Sequence, residues 1–277
     1  MPPRPRHLTR RRFLRWSALA VAASLAGVST SGVLQAARLT IEPIELRLRG
    51  LSAPLRLAFL TDLHYGPYVD DRRVAGWVDA TLDAQPDAIV LGGDVLDYQA
   101  PRGLAPLVAQ LERLESPLGT FMVLGNHEHR HAGGAAAFAS LARSAGVTTL
   151  RNAGVSLPGG LYLAGIDDLR EGRPDVGAAL RSRPAGAPML LASHNPDVLP
   201  RLPAGVDLVL SGHTHGGQVV LPLVGAPVTS SRYGQRFLSG WVDAPVPAYV
   251  SRGLGVGVLP VRWNCPPELT LVTLLPG

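Results

Sequence analysis

Lysine is absent from this chain of 277 residues, and all 26 basic residues are arginine; the bias is compositional and carries no function. Cysteine occurs once, at Cys265, which excludes an intrachain disulfide and any cysteine-rich zinc module. Aromatic residues make up only 5%, too few for a base-stacking nucleic-acid surface. Charged residues are also sparse, at 17% against 46% hydrophobic, which excludes a disordered or coiled-coil chain. What remains is a length sufficient for one large domain or two small ones, with a core that needs no disulfide or structural metal merely to fold.

The formal charge of +5 has a local origin. Arg4, Arg6, Arg10, Arg11, Arg12 and Arg15 contribute six positive charges, so the rest of the chain stands at −1. The basic balance belongs to the N-terminus and not to a nucleic-acid-binding body.

Residues 16–28 are small and apolar, and Ser and Gly then interrupt the run before Leu34-Gln35-Ala36-Ala37. A charged segment, a short apolar segment and small residues form the layout of an export signal. Thr9-Arg10-Arg11-Arg12-Phe13-Leu14-Arg15 resembles the twin-arginine type, in which paired arginines precede a bulky apolar pair. That route carries folded proteins. The alternative is a simple anchor or a cytoplasmic tail. A span needs about 20 strongly apolar residues, and Ser17, Ser24, Gly27, Ser29, Thr30, Ser31 and Gly32 dilute this one. No clean A-x-A site stands out, so residues 1–37 read as an export segment, cleaved or retained as an anchor. Residues 38–277 read as one domain.

In that body, short apolar runs at 55–60, 88–91, 121–124, 161–166, 189–192 and 206–210 read as buried strands. Stretches 72–82, 104–114 and 135–145 carry apolar residues at helical spacing, and 174–180 is a weaker helix with Pro in its first turn. Alternating strand and helix predicts an α/β domain. Beyond Gly217 the pattern changes to short strands at 235–242, 248–251 and 269–275, expected to form a second, more antiparallel set.

The polar residues after the apolar runs carry the chemistry. The runs end in Asp62-Leu63-His64, in Gly92-Gly93-Asp94 with Asp97 three residues on, in Gly125-Asn126-His127-Glu128, in His194-Asn195, and in Gly212-His213-Thr214-His215. Ligands of open α/β sheets gather beyond the carboxyl ends of the strands. Five such ends bring about eight oxygen and nitrogen ligands to one crevice, which suits a pair of divalent ions better than one. Asp62 and His64 alternate on an extended segment and so reach one ion together; His213 and His215 either share an ion or serve one each. Zn, Fe and Mn all accept these donors.

With these blocks in order from residue 62 to 215, the chain resembles the calcineurin-like metallophosphoesterase superfamily. The segments Tyr249-Val250-Ser251-Arg252-Gly253-Leu254-Gly255 and Arg262-x-Asn264-Cys265-Pro266-Pro267-Glu268 resemble a bacterial branch of exported or membrane-associated phosphoesterases. The resemblance implies a four-layer α/β/β/α sandwich of two packed mixed sheets. It implies two divalent metal ions, with Asp62, His64 and His215 on the first, Asn126, His194 and His213 on the second, and Asp94 bridging both. It also implies a bridging hydroxide that attacks phosphorus, with His127 protonating or hydrogen-bonding the leaving oxygen and Asp97 orienting His127. A likeness to lipid-A-precursor pyrophosphatases and wall-associated phosphoesterases points to an exported phosphodiesterase on an envelope or extracellular phosphoester, lipid- or wall-linked. Its partners would be the twin-arginine export machinery and a membrane surface.

Blander readings stand beside these. Asp62, Asp94 and Asn126 are also ordinary turn and cap residues. Asp167 and Asp168 either line the site or cap the next segment. Arg252 either meets a substrate phosphate or lies on the surface, and Cys265 reads as a small packing residue. His127-Glu128-His129-Arg130-His131 formally matches H-E-x-x-H, the zinc metallopeptidase signature, which works only on a helix. Ala132-Gly133-Gly134 follows, so His129 and His131 are expected in a loop at the cleft mouth. A non-catalytic, metal-stabilised cell-surface binding protein is the remaining alternative; it would need neither His127 nor Asp97.

Overall fold

A computed structural model describes residues 31–277. The predicted signal therefore lies almost wholly outside the described residues. Among those described, no helix is long and apolar enough to cross a membrane.

Two six-stranded mixed sheets pack face to face. The strands are β1 (Thr40–Leu48), β2 (Leu55–Leu60), β3 (Ala88–Leu91), β4 (Thr120–Met122), β5 (Val147–Thr149), β6 (Ala153–Ser156), β7 (Tyr162–Gly165), β8 (Met189–Ala192), β9 (Leu208–Ser211), β10 (Gly240–Trp241), β11 (Ala248–Val250) and β12 (Glu268–Pro276). The first sheet runs β1-β12-β2-β3-β4-β5 and the second β10-β11-β9-β8-β7-β6. In the first only the β12–β2 pair is antiparallel. In the second the edge pairs β10–β11 and β6–β7 are antiparallel.

Side-chain alternation explains the layering. Along β2, Leu57 and Phe59 enter the core between the sheets, whereas Ala58 and Leu60 face the helices outside. Along β8, Leu190 and Ala192 point into the shared core, and Met189 and Leu191 point the other way. Successive strand side chains point to opposite faces. A strand buried on both faces therefore reads as a continuous apolar run. Helices Asp71–Asp83, Ala105–Glu112 and Gly134–Ser144 cover the first sheet, and Val176–Leu180 with the 3-10 turn Pro196–Arg201 covers the second. The result is the expected four-layer α/β/β/α sandwich.

Two expectations are corrected. The sheets do not divide at Gly217, because β6 to β9 already belong to the second sheet and β12 returns to the first. There β12 lies between β1 and β2, with Leu269 and Leu271 toward the helices and Val272 and Leu274 toward the inter-sheet core. Residues 235–242 do not form one strand: a 3-10 turn, Gly234–Phe237, precedes the two-residue β10, and Phe237 is buried in the outer core of the second sheet. Strands β1, β5 and β6 were not anticipated. All three lie at or next to a sheet edge, where partial exposure interrupts the apolar run.

Candidate metal centre

The carboxyl ends of β2, β3, β8 and β9, with the segment after β4, meet at one end of the sandwich. Asp62, His64, Asp94, Asn126, His127, His194, His213 and His215 are all buried there. Five of them, Asp62, His64, Asp94, His213 and His215, have φ between 48° and 70°. The left-handed region costs an L-residue about 1 kcal/mol or more, a strain that persists where surroundings over-determine it. Backbone hydrogen bonds supply that constraint: Asp62 N–H donates to Gly93 O at 3.0 Å, His64 N–H to Asp94 O at 3.0 Å, and Gly212 N–H to His194 O at 3.0 Å. Two glycines let carboxylates cross the backbone. A Cβ on Gly125 would lie 2.2 Å from Asp94 Oδ1, and one on Gly212 would lie 2.2 Å from Asp62 Oδ2.

Two groups of potential ligands result, Asp62–His64–His215 and Asp94–His194–His213, and a third, His64–Asp97–His127, shares His64 with the first. His64 Nε2 approaches His215 Nε2 at 2.9 Å, and His194 Nε2 approaches His213 Nδ1 at 3.1 Å. Asp94 Oδ2 lies between the groups, 3.2 Å from His194 Nε2 and 3.8 Å from His64 Nε2. Asp62 accepts the N–H of His213 and the hydroxyl of Thr61. His194 Nδ1 lies 2.9 Å from Gly92 O; donation to that carbonyl orients the ring and aims Nε2 at the centre.

The electrostatics call for positive charge. Burial alone would raise Asp94, but the surrounding His194, His127 and His64 hold it well below the usual carboxylate range. Burial, with His64 and Arg262 beside it, pushes His215 well down. Burial and the neighbouring His194 bring His213 to about 3. Those two rings are neutral at pH 7. Burial alone would lower His64 and His194 as well, but Asp97 with Asp94 raises the first, and Asp94 raises the second well above the usual imidazole range. Each neutral nitrogen therefore faces a ring that holds positive charge where a cation would otherwise sit. Asn126 Oδ1 is buried without a hydrogen-bond partner, while Asn126 Nδ2 donates to Tyr98 Oη at 2.6 Å. Imidazole, carboxylate and amide donors with an orphaned acceptor fit divalent cations.

His127 lies against both groups, its Nε2 3.7 Å from Asp94 Oδ2 and its ring centroid 4.5 Å from that of His64. Burial lowers its pKa to about 4, so at pH 7 it is a neutral imidazole with one N–H to give. Asp97 lies beside both rings, with ligand atoms of His64, Asp97 and His127 within 4.8 Å of one another; its Oδ2 contacts His64 Nδ1 at 3.7 Å, and His127 Nδ1 has no hydrogen-bond partner. The ring that lies flat on His127 is Tyr98, with centroids 3.3 Å apart and planes 14° from parallel. Nothing in the sequence around Tyr98 announces that stack.

Residues 55–217 match the calcineurin-like phosphoesterase family. The chain belongs to that family and is a metal-dependent phosphoester hydrolase. It is 32% identical to the metallophosphoesterase YkuE of Bacillus subtilis, over 96% of this chain and 98% of that protein. It is 33% identical to the phosphodiesterase YaeI of Escherichia coli, over 97% of this chain and 100% of that protein.

Within this metallophosphoesterase the peptidase alternative fails on Glu128. Asn126–Arg130 is a short helix and not the expected loop, yet both carboxylate oxygens of Glu128 are engaged by backbone N–H groups. It is fully buried, and its carboxylate accepts the N–H groups of Asp94, Leu96 and Gly125 at 2.9, 3.0 and 2.8 Å. His129 is tied to Asp167, with Nε2 2.7 Å from Oδ1, so it is not a free residue at the cleft mouth. Asp168 caps the following turn by accepting the N–H groups of Arg170 and Glu171. Arg252 neither faces substrate nor lies free on the surface: it bonds Glu268 at 2.6 Å and Glu42 at 3.1 Å. Cys265 is buried as expected. Sequence reasoning gave no role to the buried Arg262. Its guanidinium donates to the carbonyls of Arg252, Gly253 and Gly255 and approaches His215 Nδ1 at 3.5 Å.

A cavity of about 820 Å³ opens over the centre, lined by His64, Asp94, Asn126, His127, His213 and His215 and, further out, by Tyr98 and Arg170. Arg170 Nη1 lies 3.3 Å from His213 Nε2.

Proposed function

We propose that this metallophosphoesterase is a phosphodiesterase with a two-cation centre, acting outside the cytoplasmic membrane on an envelope or extracellular phosphoester. The observation that carries the two-cation reading is the position of Asp94 Oδ2 between the ring nitrogens of His194 and His64. Asp62, His64 and His215 would hold one ion; Asn126, His194 and His213 would hold the other; Asp94 would serve both. Mn, Fe and Zn all suit the donors. When bound, the cations supply the charge that acidifies water and neutralises phosphate.

The remaining work falls to the protein. His127 reaches the centre from the Tyr98 side and donates a hydrogen bond to the leaving oxygen. Tyr98 restricts the tilt of that ring by stacking on it. Asp97 orients His64, whose other nitrogen faces the centre. Arg170, on the cavity wall, is placed to pair with a non-bridging phosphate oxygen. Glu128 keeps the backbones of Asp94 and Gly125 in register. The basic, then apolar, N-terminal sequence supports export through the twin-arginine route. A diester preference is supported by the similarity to a protein named a phosphodiesterase.

The test is elemental analysis of the purified full chain with a panel of phosphomonoesters and phosphodiesters. Two equivalents of Mn, Fe or Zn and faster turnover of diesters are expected. A single equivalent overturns the two-cation reading, and a monoester preference overturns the phosphodiesterase.

A further inference from the structure

Two loops beside the cavity expose an apolar surface that nothing among the described residues covers. Residues 218–231 and 253–261 contain no charged residue. The first forms a small hairpin, with Leu221 and Gly225 exchanging backbone hydrogen bonds at 2.8 and 2.9 Å. Leu223 at its tip is fully exposed, and Val224 and Val228 are mostly so. In the second loop Val258 is 90% exposed and Leu259 59%. Gln218 joins the loops by donating to Leu259 O and Val261 O at 3.0 and 2.9 Å. Val219, Val228, Val258 and Leu259 also line the cavity over the metal centre.

Leu223 makes the arrangement costly. Its φ is 66°, a conformation that strains a bulky residue, and it makes no burial gain in return. Glycine or asparagine would fit that turn position with less strain. An exposed apolar group held out against strain at a hairpin tip is repaid by contact outside the chain.

The chain outside the described residues indicates what that contact is. The apolar segment 16–28 ends three residues before Ser31. Gly32, one residue further, accepts the N–H of Arg262 at 3.0 Å at the base of the second loop. Val33 and Leu34 beside it are more than half exposed. Gly32, close to where the described residues begin, therefore lies on the same side as the two apolar loops.

We propose that the hairpin 218–231 and the loop 253–261 dock this protein on a phospholipid bilayer, so that the cavity of the metal centre opens at the lipid surface. Uncharged apolar side chains at loop tips enter the boundary between headgroups and acyl chains, and the gain scales with apolar area. The choice of substrate at that surface rests on the phosphodiesterase reading; the docking does not.

The test uses the full chain and vesicles of three parts phosphatidylcholine to one part phosphatidylglycerol. Leu223→Cys carries a nitrobenzoxadiazole label; Cys265 is buried, and unreacted wild type checks its silence. Emission from position 223 is expected to rise and shift to the blue on vesicles. An unchanged spectrum overturns the docking even if the leader holds the chain to the lipid. A shift that appears without lipid, together with a dimer in sedimentation, overturns it in favour of self-association. In parallel, Leu223→Asp with Val224→Asp is expected to slow hydrolysis of a vesicle-embedded phosphodiester by about tenfold. Bis(p-nitrophenyl) phosphate in solution, which also reports folding, should turn over unchanged; equal rates on vesicles overturn the proposal. A wild type inactive on both substrates counts against the phosphodiesterase alone, since the emission experiment requires no turnover.

Discussion

Glu128 accepts the backbone N–H of Asp94 at 2.9 Å, so a carboxylate on the short helix after β4 fixes the backbone that presents the central ligand after β3. It also accepts from Leu96 and Gly125, and burial, together with Asp94, raises its pKa to about 7. Glu128→Gln replaces one carboxylate oxygen with an NH2 donor that faces backbone N–H groups. We expect a loss of about 2–3 kcal/mol in denaturant unfolding and lower metal content by elemental analysis. An unchanged midpoint and full metal content would show that the brace is dispensable.

Removing Asp94 itself tests the bridge. Asp94→Ala should lower metal occupancy and reduce kcat/KM by about 100-fold or more. Because its Oδ2 is within 3.8 Å of ring nitrogens in both groups, occupancy of both ions should fall, read by elemental analysis. Wild-type metal content in this variant would refute the assignment.

His127→Ala separates chemistry from metal binding. It should retain metal and lose about 10²–10⁴ in kcat on an alkyl-leaving diester. A p-nitrophenyl diester, whose leaving oxygen needs little help, should lose much less. Equal losses on both substrates would remove His127 from the leaving-group role.

Arg170→Ala should raise KM about tenfold with a smaller effect on kcat, and weaken inhibition by inorganic phosphate in parallel. The expectation rests on a guanidinium that lines the cavity 3.3 Å from His213. A change confined to kcat would place Arg170 outside phosphate binding.

Asp167 predicts an acid-sensitive element. Burial would raise its carboxyl, but the Arg173 N–H, the Arg151 guanidinium and His129 hold it below its ordinary 3.8. A folded-state value below the unfolded one gives stability that is complete above about pH 4 and lost as pH falls through the folded value. Asp167→Asn should therefore lower stability by about 1–3 kcal/mol at pH 7 and flatten its acid dependence below pH 4. Unfolding curves at a series of pH values would show both, and parallel curves for the two proteins would contradict the sign.

The sequence by itself determined the layered α/β class and the seven candidate ligands, for a physical reason. A strand buried on both faces needs an unbroken apolar run, and a metal-binding loop at its end needs Asp, His and Gly within a few residues, so both are written locally. Only the tertiary structure decided which sheet each strand joins: β12 crosses back between β1 and β2 through pairings made with residues more than 200 positions earlier. It also decided that Asp97 contacts His64, that Arg252 is held by Glu268 and Glu42, and that Tyr98 stacks on His127. Those contacts depend on where loops from separate strands meet, and neither residue type nor periodicity encodes that meeting.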